Sequence, residues 1–230
     1  MRSLLSYWRN LFYTRRMSSC ETQGMLFDLD GVLIDSTAGV TRVWRDWAVR
    51  NHIDPEVATH TAHGRRAIDT VRLLAPHLDA EAELLDLERR EIAESHDVTV
   101  FPGAVRLLSS LPPLRWAIVT SGTRDLASHR LRVGGLPVPE LMITASDIER
   151  GKPDPEPYLR GAGLLGLAPA ACMAVEDAPN GLRSALDAGM RVFAVPTTYP
   201  VDELAMATEL LPSLNALHAT IVGDFIRLNW

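Results

Sequence analysis

Apolar residues follow two rhythms along this chain. Short continuous runs, MLFDLD at 25–30, WAIVT at 116–120, CMAVE at 172–176 and VFAV at 192–195, have the length and composition of strands buried on both faces. LMIT at 141–144 is a weaker fifth. Between them, amphipathic stretches predict helices over 103–110 after Pro102, over 124–133, over 155–165, and over 180–188 before Gly189. Strand and helix in alternation predict an α/β fold with a parallel sheet covered on both faces.

One interval breaks the alternation. From about 37 to 100 the pattern is helical throughout, including helices over 40–50, 66–74 and the acidic run 79–94. This much helix between the first and second strands predicts an inserted helical subdomain, bounded by Asp35 and Ser36 on one side and by Phe101 and Pro102 on the other. The expected division is an extension at 1–24, a core formed by 25–36 and 101–230, and a helical insertion at 37–100. The extension carries Arg2, Arg9, Arg15 and Arg16 among apolar residues, with no acid before Glu21. Because arginine interrupts it every few positions, it supplies neither a spanning run of about twenty residues nor a signal-peptide core. A disordered tail is expected, with a targeting segment or a basic surface helix as the alternatives.

Composition narrows the class. With 230 residues, 47% hydrophobic and 23% charged, the chain is long and apolar enough to bury a real core. Its net charge of −6 supplies no overall positive field, so nucleic acid is not an expected partner. Nothing beyond the extension suggests a membrane. Two cysteines, Cys20 and Cys172, make no disulfide framework, and a reducing, cytoplasmic setting is expected.

In an open parallel sheet, ligands bind beyond the carboxyl ends of the strands, and the polar residues of this chain collect there. The first run ends in Asp28 and Asp30 before Gly31, the second in Thr120, Ser121 and Gly122, and CMAVE in Glu176 and Asp177. Lys152, in the turn GKPDP at 151–155, is the only lysine among twenty-three basic residues. Acids two apart on a strand face opposite ways, but a chain that curls at the strand end brings both to one site. Other signals carry less. GAGLLG at 161–166 matches the dinucleotide fingerprint but follows a helical stretch, so it reads as a helix C-terminus. His60 and His63 lack a partner at zinc spacing. ERREIAE at 88–94 reads as a solvated helix face, and Cys172 as a buried structural thiol.

Taken in order, DLDGV at 28–32, the strand ending in Thr120, the Lys152–Pro153 turn and VED at 175–177 resemble the four motifs of the haloacid dehalogenase-like superfamily. The resemblance spans about 25–200 and implies a Rossmann-like core with an α-helical cap inserted after the first strand. It implies that Asp28 is a nucleophile forming an aspartyl-phosphate, and that Asp30 protonates the leaving oxygen and then activates water. Thr120 would offer its hydroxyl to the phosphate, Ser121 and Gly122 their backbone N–H groups, and Lys152 its charge. Carboxylates around a dianionic phosphate repel it unless cations intervene, and hard oxygen ligands favour Mg²⁺. The implied ligands are Asp28, the Asp30 carbonyl and Asp177, with Glu176 close by.

HTAHGRR at 60–66 with Asp69, and TSGTRD at 120–125, resemble sugar and polyol phosphatases of the glycerol-phosphatase and deoxyglucose-phosphate phosphatase type. That implies a cap helix beginning near His63, Arg65 and Arg66, whose side chains face a substrate, with Gly64 permitting close approach. Phosphonate-cleaving relatives use a cap lysine, which is missing here; true dehalogenases lack the second aspartate, which is present as Asp30. A small phosphorylated sugar or polyol is the expected partner of a monomer or weak dimer, and a β-phosphoglucomutase-like isomerase is the alternative.

Overall fold

The computed structural model describes residues 18–230, so the expectations for 1–17 lie outside the described residues. Strands β1 (Ser19–Thr22), β2 (Gly24–Phe27) and β3 (Ile34–Asp35) precede four helices, α1 (Thr37–Arg50), α2 (Pro55–Ala62), α3 (Ala67–Leu74) and α4 (Ala80–Ala93). After β4 (Thr99–Val100), helix and strand alternate through α5 (Ala104–Ser109), β5 (Trp116–Val119), α6 (Arg124–Val133) and β6 (Met142–Ile143). The pattern continues with α7 (Glu156–Leu164), β7 (Cys172–Glu176), α8 (Pro179–Asp187) and β8 (Arg191–Ala194). The chain closes with β9 (Glu209–Leu210), β10 (His218–Val222) and β11 (Phe225–Asn229).

Six strands form a parallel sheet in the order β6-β5-β2-β7-β8-β9, which sets β2 between β5 and β7. The carboxyl ends of these three strands therefore lie side by side. Met25, Phe27, Ile118, Met173, Val175 and Phe193 enter one core with residues of α5 and α6. Their neighbours Leu26, Ala117, Val119, Ala174 and Val192 enter another with residues of α7 and α8. A sheet buried on both faces needs apolar side chains at both parities, and this is why its strands read as continuous runs rather than alternating ones.

A second, antiparallel sheet, β1-β11-β10, corrects the expected N-terminal boundary. Residues 19–22, assigned from sequence to a disordered tail, pair from Ser19↔Asn229 to Thr22↔Ile226. The segment SCET has no apolar pattern because its contribution is backbone pairing with a strand some two hundred residues away. Ile226 and Leu228 of β11 are fully buried against the sheet. The hairpin itself carried a readable signal, since Gly223 and Asp224 turn between two β-rich runs and Gly223 has φ +59°.

The helical insertion has its own core. On α1, Val40, Val43, Trp44, Trp47 and Ala48 follow the one-face helical period and pack against Ala58, Ala62, Val71 and Leu87 of the other three helices. Asp54 caps α2 by accepting from the Glu56 amide at 2.8 Å, and Asp79 caps α4 from Glu81 and Ala82 at 3.2 Å. Its two ends leave the sheet domain together, because β3 and β4 pair antiparallel through Ile34↔Val100 and Asp35↔Thr99. No helix among the described residues is long and apolar enough to cross a membrane.

Candidate active site

The sheet delivers its polar residues to one place. β2 stops at Phe27, and the chain curls so that Asp28 and Asp30, with Thr120 and Asp177, line a common cavity of about 250 Å³ beneath the helical insertion. The curl is steric. Gly31 sits at φ +86°, and a Cβ there would collide with the Asp177 carboxylate.

Lys152 is 2% exposed, and its ammonium lies 2.6 Å from Asp28 Oδ1, 2.6 Å from Glu176 Oε1 and 3.1 Å from the Val119 carbonyl. Burial opposes its charge, but Asp28 and then Glu176 outweigh burial and raise its pKa, so it stays an ammonium. Tyr158, from α7, donates to Glu176 Oε1 at 2.7 Å, and the Asp177 amide donates to Glu176 Oε2 at 3.1 Å. Both Glu176 oxygens are thus occupied, and its carboxylate braces Lys152 from behind.

Oxygens of Asp28, Glu176 and Asp177 lie within 4.8 Å of one another. Burial pushes Asp28 up to about 7 against the pull of Lys152, with Glu176 adding to the push. Asp177 is held well above the usual carboxylate range by burial first and by Asp28 and Glu176 next. Ionised together, three buried carboxylates against one ammonium would leave two negative charges uncompensated, and hard oxygen donors with that deficit fit a divalent cation.

On the other side, Thr120 is 2% exposed and its Oγ1 accepts from the Gly122 amide at 3.1 Å. The Gly122 N–H expected to face a phosphate is therefore engaged within its own loop, while the Thr120 hydroxyl keeps its proton free to donate. Ser121 Oγ donates to the Gly64 carbonyl at 3.3 Å, reaching into the helical insertion.

The segment around Gly64 differs from the expectation. Rather than beginning a helix at His63, it forms the turn between α2, where His63 is the C-cap, and α3, where Arg66 is the N-cap. Gly64 has φ +73°, and a Cβ on it would stand 2.7 Å from that of Ala178, so the turn presses on the loop after β7. Half-buried His63 has its pKa lowered chiefly by burial. Arg65 lines the cavity with a buried Nε that has no partner. Arg66 also lines it, but its guanidinium is held by both oxygens of Asp69, at 2.6 and 3.0 Å, and donates to the Ile148 carbonyl at 3.3 Å. That fork braces α3 against the sheet domain, which corrects the picture of a side chain free to meet substrate.

Sequence reasoning missed residues of α4 and α6. In the run read as a solvated face, Glu91 is 7% exposed, and Glu88 lines the cavity and accepts from Thr123 Oγ1. Only the opposite face, with Arg89 and Arg90 paired to Asp86, meets solvent as expected. Buried Arg130 bonds both Asp30 and Glu91. One arginine among twenty-two gave no signal, and the run's helical period did not disclose which face looks inward. GAGLLG lies at the end of α7 with Gly166 at φ +67°, a helix C-terminus, and Cys172 is buried with its thiol pushed up to about 11 by burial.

A fold of this topology, with acids and a lysine gathered at the carboxyl ends of its central strands, defines a class that comparison makes specific. Residues 22–189 match the family described as haloacid dehalogenase-like hydrolase, and the chain belongs to that family. It is 44% identical over 203 residues to hexitol phosphatase A of Escherichia coli (strain K12), covering 86% of this chain and 94% of that protein. To glycerol-1-phosphate phosphohydrolase 1 of Saccharomyces cerevisiae (strain ATCC 204508 / S288c) it is 36% identical over 83% of this chain and 81% of that one. Among solved structures, a hydrolase from Pseudomonas syringae superimposes with TM-score 0.75 at 25% identity, over 84% of this chain and 94% of that one.

Proposed function

We propose that this protein is a Mg²⁺-dependent phosphatase acting on a small sugar or polyol phosphate through an aspartyl-phosphate. The observation that carries the reading is Asp28, buried at the mouth of β2, held at 2.6 Å by the ammonium of Lys152 and lining the cavity beneath the helical insertion. At about 250 Å³ the cavity is below the usual range for ligand pockets, roughly 300–1,000 Å³, in keeping with a small substrate. Kinship with a hexitol phosphatase and a glycerol-1-phosphate phosphohydrolase supports the substrate class.

An oxygen of Asp28 attacks phosphorus in line as the bond to the leaving oxygen breaks. Asp30 gives its proton to that oxygen, releasing the alcohol. The Asp30 carboxylate then takes a proton from water, whose oxygen attacks the aspartyl-phosphate and frees phosphate and the Asp28 carboxylate. Lys152 and the Thr120 hydroxyl neutralise and orient the phosphoryl oxygens. Asp28, the Asp30 carbonyl and Asp177 would hold Mg²⁺, which when bound supplies the remaining positive charge against the phosphate. Glu176 sets Lys152 in place. Both cysteines are free, in keeping with a reducing cytoplasm.

The test is a screen of sugar and polyol phosphates for inorganic phosphate release, with Mg²⁺ and with excess chelator. Release that depends on Mg²⁺ is expected. Full activity in chelator overturns the cation, and conversion of glucose 1-phosphate to 6-phosphate without release overturns the hydrolase in favour of the isomerase.

A further inference from the structure

Helix α6 sends Arg130 into the seam between the sheet domain and the helical insertion. The residue is 4% exposed, and its guanidinium divides itself between the two units. Nη1 donates to Asp30 Oδ1 at 3.0 Å, and Nη2 donates to Glu91 Oε2, on α4, at 2.8 Å. The remaining Glu91 oxygen accepts from Trp44 Nε1, on α1, at 2.9 Å, so Glu91 is locked into the core of the insertion. Asp30 Oδ1 also accepts from Ser36 Oγ at 2.7 Å, at the point where the chain enters α1. Among the described residues no group bonds Asp30 Oδ2, and Asp30 lines the cavity.

A buried ion pair is in general a weak source of stability, because desolvation offsets its attraction, so cementing two units is a poor account of this placement. The geometry accounts for it better as aiming. We propose that Arg130 is a positioning residue for the phosphatase reaction, fixing Asp30 Oδ1 so that Oδ2 faces the leaving oxygen, and making that aim depend on Glu91 and hence on a seated helical insertion. With the insertion lifted, Arg130 loses its second anchor and Asp30 loses its orientation. Proton delivery is then confined to the state in which the insertion is seated.

The inference rests on the phosphatase reading, with Asp30 giving its proton to the alcohol oxygen as the phosphorus–oxygen bond breaks. Its test reads that proton directly. A series of phenyl phosphates graded by the acidity of their phenols needs progressively more help from an acid, so the dependence of kcat/KM on phenol acidity measures how well Asp30 delivers. Arg130→Met and Arg130→Lys are compared with wild type. Arg130→Met/Glu91→Gln is added so that no buried carboxylate is left unpaired, and circular dichroism with thermal melting confirms the fold.

For all three, the loss should grow along the series, reaching about 10²-fold for the least acidic phenol. Lysine should not rescue, because Asp30 and Glu91 are met by two separate nitrogens of one planar fork, Nη1 and Nη2, and a single ammonium on a shorter stem does not reproduce that pair of contacts. A loss of equal size on every ester, no loss, or restoration of the wild-type dependence by lysine overturns the positioning role. A wild-type protein that releases no phosphate sinks the phosphatase reading and this inference with it. An active wild type whose variants run parallel to it sinks this inference alone.

Discussion

Lys152 shows how much one side chain discloses when the rest of the composition is set against it. In a chain with twenty-two arginines, a single lysine in a turn, followed by Pro153 and Pro155, marks a position where the guanidinium fork does not fit. The structure supplies the reason: three oxygens converge on one nitrogen within 3.1 Å in a site 2% exposed. Lys152→Arg should therefore lose about 10²–10³-fold in kcat despite keeping its charge, measured on the best substrate of the phosphate-release screen. Retention of most turnover would mean that Lys152 supplies only diffuse potential. Asp28→Asn should abolish turnover while melting as a folded protein, since an amide is not an anionic nucleophile. Arg130 is the converse case. Its residue type is common in this chain, its partners are 39 and 100 positions away, and nothing local in the sequence distinguishes it from a surface arginine.

The elements divide along the same line. Sheet strands were readable because a doubly covered strand must be apolar at every position, and α1 because its buried residues keep one helical face. β1 was not, since four residues of SCET are stabilised by a ladder whose other half is at the far end of the chain. The charged run on α4 was misread because period alone does not say which face of a helix meets a partner, and its inward face carries Glu88 and Glu91 rather than apolar residues. The turn joining α2 to α3 can be tested as an element. Gly64 combines φ +73° with a Cβ position 2.7 Å from that of Ala178, so Gly64→Ala meets both backbone strain and a clash with the sheet domain. The strain alone is on the order of 1–3 kcal/mol. Lower thermal stability and a lower kcat/KM for a polyol phosphate are expected. Adding Ala178→Gly should recover part of the kinetic loss, because it removes the clash and leaves the strain. If the second change restores nothing, contact between the turn and the loop after β7 does not govern closure.

Across the molecule, an acidic chain with net charge −6 keeps three carboxylates in one buried cluster, and this ties its stability to both protons and cations. Asp28 binds its proton in the folded, cation-free protein up to about pH 7, whereas the unfolded chain releases it near the ordinary aspartate value of 3.8. Between those values the folded state holds more protons than the unfolded one, so this group's contribution to stability falls as pH rises through the window. Asp177, also raised, acts in the same direction. A divalent cation reverses the penalty by binding the deprotonated cluster of the folded state, and its stabilisation grows with its affinity. The rise in Tm that Mg²⁺ produces over excess chelator should therefore be larger at pH 8 than at pH 5. Taking the difference at each pH largely cancels groups remote from the cluster that titrate alike with and without the cation. Asp28→Asn should shrink the pH dependence of this difference, because it removes a titrating group whose proton competes with the cation. A Mg²⁺ effect that is equal at both pH values, or larger at pH 5, would show that the cation binds elsewhere than at the cluster beside Lys152.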